Sequence, residues 1–593
     1  MNKFLLIIGS ILLVYLLVLF GAMEKHVDHP RFHLETPVPA DADTSYADPG
    51  EYGGRVLIGA LGDPKTLNPI VASETSSRDI ISRIYSSLVS YDNITQEVLP
   101  GLAQSWEYSD DNLELTFHMR RGVVWSDGEP LTAYDAEFTY RAIYDPKVEN
   151  SLADIMRVNG EPFKGTAVDS FTFKVTIPST FAPFLLWAGA AVPVMPKHIL
   201  EPELDKGTFD SAYNVSWPAD KLVTCGPYLL EKYESGVKTV LRRNPGYYRI
   251  DTEGQRLPYI DRIIHVTIRS TETEMLMFQT GNLDMMTVSK LGDVPILEQD
   301  AESRDFTIEN LGISMGQNMF WFNLNPGTDK EGNHYVAPHK HKWFNDVRFR
   351  KAMAHVVDRK GIAETVFGGL AEPLYGPETR ANKFWFNPNT VKYDYNPDTT
   401  REYLDDMGLM DRDGDGIRED EEGHPVEFTM ITNTGNDQRE LIGNLLKDDL
   451  AKVGVKMNFN PIEFNTLIVK IDNELTYDCC LLGLTSGDTD PSSGMSSWLS
   501  SGRMHLWYPA QPEPATEWEA RIDELMNLQM TTLDRDKRKE YYDEVQYIVS
   551  DKCPYIYLVS PQVFVAYGNK FRNMRPSILR HRLLWNIEEV WIE

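Results

Sequence analysis

Cysteine is scarce in this chain, with four in 593 residues: Cys225, Cys479, Cys480 and Cys553. None pair at the C-x-x-C spacing of a metal or redox site. Cys479-Cys480 sits in the apolar run YDCCLLGL, a setting for small buried packing groups. Spacing leaves open whether any disulfide forms, and between which thiols. The H-E-x-x-H, P-loop and G-x-G-x-x-G signatures are missing too, and with them the usual marks of zinc hydrolases, nucleoside triphosphatases and dinucleotide enzymes. Positive charge is short: 58 Lys and Arg face 88 Asp and Glu, a net charge of −30. Such a surface argues against nucleic acid as a partner. It suits a soluble protein and draws cationic solutes at long range.

Uncharged apolar runs are also short, with one exception. Phe4–Ala22 carries no charge and would span roughly 28 Å as a helix at about 1.5 Å per residue, close to a bilayer core. Lys3 precedes it. Phe20-Gly21-Ala22 puts a bulky residue where a cleavage site needs a small one, and no cysteine follows to carry a lipid. The run reads as a signal helix, retained as an anchor rather than cleaved. Residues 23–52, with Pro30, Pro37, Pro39, Pro49 and Gly50, read as a polar, flexible stalk. The remainder then lies outside the cytoplasmic membrane.

That remainder has a globular composition, 42% hydrophobic and 25% charged. Arg55–Ala60 reads as a buried strand and Thr75–Val89 as a helix with Ile80, Ile81, Ile84 and Leu88 on one face. Leu113–Met119 alternates apolar and polar residues, the period of a half-buried strand. A turn at Ser126–Pro130 follows, then a helix opened by Thr132 with Asp135 three residues on, a capping-box pattern. Further helices are expected at Thr271–Thr280, Asp346–Asp358, Thr399–Met407, Asp437–Val453, Thr516–Gln529 and Arg535–Ser550. Short strands between them, among them Phe171–Ile177, the aromatic Asn318–Asn325 and Val426–Thr432, give an α/β class.

Several segments carry a resemblance: GDPKTLNPI (Gly62–Ile70), LPGLAQSWE and LTFHMRRGVVWSDGEPLTAYD between residues 99 and 135, TCGPYLL (Thr224–Leu230), WFNDVRFRKAMAHVVDR (Trp343–Arg359) and GDTDPSSG (Gly487–Gly494). In this order, over about residues 55–590, they resemble bacterial extracellular solute-binding proteins of family 5, the peptide-type receptors that feed ABC importers. The resemblance implies a two-lobed periplasmic-binding-protein-like fold that closes by hinge bending. Lobe I would comprise residues 53–316 and 558–593, with an extra subdomain at about 88–222, and lobe II residues 317–557. Asn318–Asn325 would be one crossing and Cys553–Val565 the return. It further implies a monomeric, non-catalytic receptor for an extended oligopeptide, delivering to ABC permease subunits from the periplasmic or outer face of the membrane. A sugar, an opine-like compound or a metal chelate is the alternative solute, and an envelope hydrolase the reading from another class.

By that resemblance, an extended peptide would pair with strand-like edges at Ser73-Glu74-Thr75 and Leu484-Thr485-Ser486. Peptide-binding relatives set an Asp shortly before a Pro to pair with the ligand's ammonium. Asp488 and Asp490 precede Pro491 here, though neither at the spacing of the best-known peptide receptors. Trp321 and Trp498 are candidates to line the cleft.

Asp411-Arg412-Asp413-Gly414-Asp415-Gly416-Ile417-Arg418-Glu419-Asp420-Glu421-Glu422 fits the calcium loop D-x-D-x-D-G-x5-E. Asp411, Asp413 and Asp415 would supply carboxylates, Ile417 its carbonyl, Glu419 a direct or water-bridged oxygen and Glu422 a bidentate clamp. A strand pattern follows where an EF-hand has a helix, so an ion-free surface turn is the competing reading. No cofactor is required; calcium, if held, is structural. Gly312–Gly316 fits G-x-S-x-G around Ser314, but an extended aromatic strand follows rather than the helix a nucleophile elbow needs. His334, His339 and His341 read as a solvated loop.

Overall fold

The computed structural model describes residues 37–593 except 61, 73, 151, 159 and 486–488. The Phe4–Ala22 run and the first part of the expected stalk lie outside those residues. Among the described residues no helix is long and apolar enough to cross a membrane.

The chain forms two sheet-centred lobes. In lobe I a mixed sheet runs in the order Tyr228–Glu234, Lys238–Arg243, Arg262–Thr267, Arg55–Ala60, Met285–Thr287, Val559–Gly568, Phe306–Ile313. Lobe II is built on Lys456–Ile462, Glu427–Asn433, Cys479–Thr485, Gly316–Phe322 and Ile556–Tyr557. A smaller antiparallel sheet, Ala103–Tyr108, Glu114–Met119, Thr172–Thr176 and Lys164–Asp169, stands apart within the first lobe. On its second strand Leu115, Phe117 and Met119 are buried and the residues between them are not, as the alternation predicts. Thr132 and Asp135 form the capping box of the Ala133–Ile143 helix.

The chain crosses between lobes at Ser314–Met315, where Phe306–Ile313 ends and Gly316–Phe322 begins, and returns at Leu558. Asn318–Asn325 therefore lies beyond the crossing, inside lobe II. Ser560 ties the two crossings together. Its hydroxyl, 1% exposed, is 3.1 Å from the Ser314 carbonyl and 2.8 Å from that of Gly316, while Thr379 also donates to Ser314 at 2.7 Å.

Two expectations need correcting. The helix from Thr75 stops at Ile84, not Val89. Gly226 closes on its last turn, donating its N–H to the Ile84 carbonyl at 2.9 Å; a Cβ there would sit 2.4 Å from the Ile84 backbone. The chain leaves extended, and Val89–Tyr91 pairs with Val98–Pro100. The described end of the stalk is fixed, not loose. Asp43 ion-pairs with Arg120 at 2.8 Å and Arg249 at 2.7 Å, Asp43–Thr44 pairs with Arg249–Ile250, and Ser45 donates to Glu589 at 2.6 Å.

Candidate functional site

Two cavities open where the lobes meet. One, of about 630 Å³, is bounded by Ile81, Tyr91, Trp187 and Tyr248 of lobe I and by Thr489 of lobe II. The other, of about 850 Å³, is bounded by Thr75, Asp79, His265 and Glu274 and by Ser314 and Met315 of the hinge. Arg83, Leu579, Arg580 and His581 touch both, so the end of the Thr75–Ile84 helix and the chain after Ser577 divide the cleft. The second cavity sits at the carboxyl end of Arg55–Ala60, where open α/β sheets place ligands.

The helix owes its position to Ile80, Ile81 and Ile84, buried along one face. Its polar face carries Asp79, whose carboxylate lies 3.0 Å from Nδ1 of His581. Burial opposes charge on Asp79, but the closeness of His581 and Arg83 prevails and its pKa is lowered. His581 itself is held down to about 4, first by burial and then by the nearby Arg83. Burial likewise pulls His265 to about 4, again with Arg83 adding to the effect. Burial alone pushes Glu274 up to about 7. Its Oε1 would lie 2.9 Å from a Cβ at Gly59, so glycine there gives the carboxyl its room over the strand.

The sequence-named ligand residues do not converge on one spot. Ser73, Ser486 and Asp488 lie outside the described residues. Glu74 sits at the amino end of the helix and accepts from the Ser77 hydroxyl; Thr75 lines the larger cavity. Trp321 is wholly buried, donating its indole N–H to Tyr477 at 3.0 Å. It is core of lobe II, edge-on to Tyr555 with ring centroids 5.9 Å apart. Trp498 is buried against Tyr555. Asp490 caps the turn at Pro491–Gly494 and accepts from Arg538 at 2.7 Å, with only 15% of its side chain exposed. A partner already occupies that carboxylate.

Leu484 and Thr485 stand differently. Cys479–Thr485 pairs along its length with Gly316–Phe322. On its other side the register with Glu427–Asn433 covers Met430↔Cys479 and Ile431↔Cys480 only. The backbone of Gly483–Thr485 thus has ladder partners on one edge, and Thr485 lies opposite Gly316, next to the hinge residues Ser314 and Met315.

In the aspartate-rich loop, carboxylate oxygens of Asp411, Asp413, Asp415 and Glu419 lie within 4.8 Å of one another and could hold a divalent cation. Backbone N–H groups of Gly414 and Gly416 bond Asp411, and Ile417 donates its N–H to Asp415 at 2.7 Å. Glu422 is not part of this cluster. It is 73% exposed and faces His424, because Glu419 is pinned by bridges to Met410 and Pro425 and the chain turns away into a strand. Ser314 of the G-x-S-x-G sequence forms the hinge, and its hydroxyl accepts from the Gly316 N–H at 2.8 Å. His339 stacks on His424 with centroids 4.3 Å apart. All four cysteines are free and buried.

Arg83, His265, Glu274, Tyr91 and His581 escaped the sequence reading. They come from distant parts of the chain and share no motif; the cavity assembles them only on folding.

Residues 97–505 match the family described as bacterial extracellular solute-binding proteins, family 5 Middle. A probable ABC transporter-binding protein of Deinococcus radiodurans is 28% identical, covering 92% of this chain and 94% of its own. The oligopeptide-binding protein AppA of Bacillus subtilis is 24% identical over 91% of this chain and 92% of its own. Its solved structure, in complex with a nonapeptide, is similar with a TM-score of 0.70, covering 92% of this chain and all of that one at 23% identity. MelB of Agrobacterium fabrum, solved with stachyose, has a TM-score of 0.73 at 20% identity, covering 94% of this chain and 86% of that one.

Proposed function

The chain belongs to the family 5 bacterial extracellular solute-binding proteins, the substrate-binding components of ABC importers; from that premise we propose that it captures an extended oligopeptide between its lobes and passes it to a membrane permease. The observation that carries the peptide reading is the half-open backbone edge of Gly483–Thr485, whose last residue pairs with Gly316 just beyond the hinge. Such an edge pairs with the main chain of a ligand and asks little of its side chains. The protein in AppA's solved structure holds a nonapeptide; MelB, with stachyose, keeps a sugar as the second reading. The family is one of substrate-binding receptors, and this reading gives the chain no catalytic step.

The family goes with an extracytoplasmic location. Phe4–Ala22 would hold the chain there uncleaved, and an intact mass that includes this run would support the anchor. The aspartate-rich loop would take a structural calcium. Mass spectrometry of solute released from the purified full chain, followed by a peptide library read by thermal shift, tests the main reading. Recovery of a sugar with no response to any peptide would overturn it.

A further inference from the structure

The larger cavity has a charge that the rest of the molecule does not lead one to expect. On a chain of net charge −30, its wall carries the guanidinium groups of Arg83, Arg580 and Arg582 together with His265 and His581. Two carboxyl groups face them. Asp79 is engaged by His581. Glu274, 7% exposed, has no hydrogen-bond partner among the described residues, and burial favours its neutral, donating form.

The donors of this wall are also left over. Nε of Arg83, Nε2 of His265 and Nε of Arg582 are buried without a hydrogen-bond partner. Arg83 is 4% exposed and His265 6%. Buried polar nitrogen is almost always paired, and leaving it unpaired costs about 1–3 kcal/mol per group. Three such atoms around one cavity are the complement of an absent acceptor. A guanidinium offers a planar fork suited to an oxyanion, and a neutral imidazole adds one more N–H. The other named sites differ: Asp490 already has Arg538, and the acids of the calcium-type loop already accept backbone N–H groups.

We propose that this cavity is an oxyanion subsite, in which Arg83, His265 and Arg582 receive a carboxylate- or phosphate-type group of the transported solute. The inference rests on the solute-receptor reading and narrows it. One end or side chain of the solute is anionic and is buried against lobe I, beneath the hinge residues Ser314 and Met315. Closure of lobe II then covers a neutralised charge instead of an open one.

The test uses the full chain with acetate, succinate and inorganic phosphate, each against chloride at equal ionic strength, read as the thermal midpoint. Wild type is expected to be stabilised by one class of anion, carboxylate or phosphate, which identifies the source. Arg83→Gln and Arg582→Gln should each weaken the apparent affinity for that anion at least tenfold. Arg582 is only partly buried, so its variant carries the test should Arg83→Gln fail to fold. Indifference of wild type to all three anions, or an unchanged response in the variants, overturns the inference. A parallel panel of peptides with free and amidated carboxyl ends separates the two readings. Equal binding of both forms with silent anions removes the subsite and keeps the peptide. Stabilisation by anions with no peptide bound removes the peptide and keeps the subsite.

Discussion

The hydroxyl groups of Tyr91 and Thr489 lie 3.0 Å apart, one on each lobe, across the smaller cavity. The Ala182 N–H donates to the Met530 carbonyl at 2.7 Å, another polar contact between the lobes. A neutral hydrogen bond contributes about 0.5–1.5 kcal/mol, or roughly 2–10-fold in an equilibrium constant. Tyr91→Phe should therefore weaken solute binding by about that factor and open the molecule slightly. Calorimetric titration and small-angle scattering read the two effects. Unchanged affinity and radius of gyration would leave the pair without a part in closure.

Asp490→Asn should cost stability, not specificity. It leaves the guanidinium of Arg538, 7% exposed, without its carboxylate, a loss of about 3–5 kcal/mol for a broken buried pair. Gln529 still accepts from Arg538 at 3.0 Å and softens the loss. Denaturant unfolding measures it. Discrimination between free and acetylated peptides should persist in this variant; its disappearance would return Asp490 to the ligand's ammonium.

Acid should act through Glu519. Burial raises its pKa, but His505, Trp507, Gln511 and Thr516 outweigh that and bring it from 4.5 to about 2. The bonds from Trp507 and Gln511 are both 2.9 Å. A carboxylate whose folded value is depressed stabilises fully above its unfolded value and loses that contribution as pH falls toward the folded one. The gap of this size is worth roughly 3 kcal/mol. Wild type should thus exceed Glu519→Gln in urea midpoint at pH 6, and the advantage should shrink between about pH 4.5 and 2. A constant difference across that window would refute the linkage.

Calcium should raise the thermal midpoint of chelator-treated protein by a few degrees, a shift of about 1 kcal/mol or more by mass action at saturating ion. Asp413→Asn should abolish the shift, while Glu422→Gln should leave it unchanged, since Glu422 faces His424 instead of the other acids. Equal loss in both variants would restore Glu422 as a ligand.

Local pattern was readable and long-range closure was not. The alternation of Leu115, Phe117 and Met119 announced a half-buried strand because one face alone meets the core. Helix starts were visible at Thr271 and Arg535, which the caps Ser270 and Asp534 precede, while the helix expected from Thr399 begins at Pro397 behind its Asn396 cap. The overrun from Ile84 to Val89 arose because the stop is tertiary: Gly226, far along the chain, occupies the next turn. Trp321 looked like a cleft residue, and only its packing against Tyr555 in the folded chain makes it core. The acids of the metal-type loop were legible as a motif, except that Glu422 depended on a helix that the chain does not form. Arg83, His265 and Arg582 could not be read together, since nothing in their spacing signals a shared cavity.

The four native thiols have one more consequence. Burial raises Cys225 to about 12 and Cys553 to about 11, and Cys479 and Cys480 are raised as well. At neutral pH none offers an accessible thiolate to a maleimide. A pair of surface cysteines introduced on opposite lobes would then be the sole labelled positions, without removing any native residue. Distances between two fluorophores placed this way would follow opening and closing, molecule by molecule, in the otherwise unaltered protein.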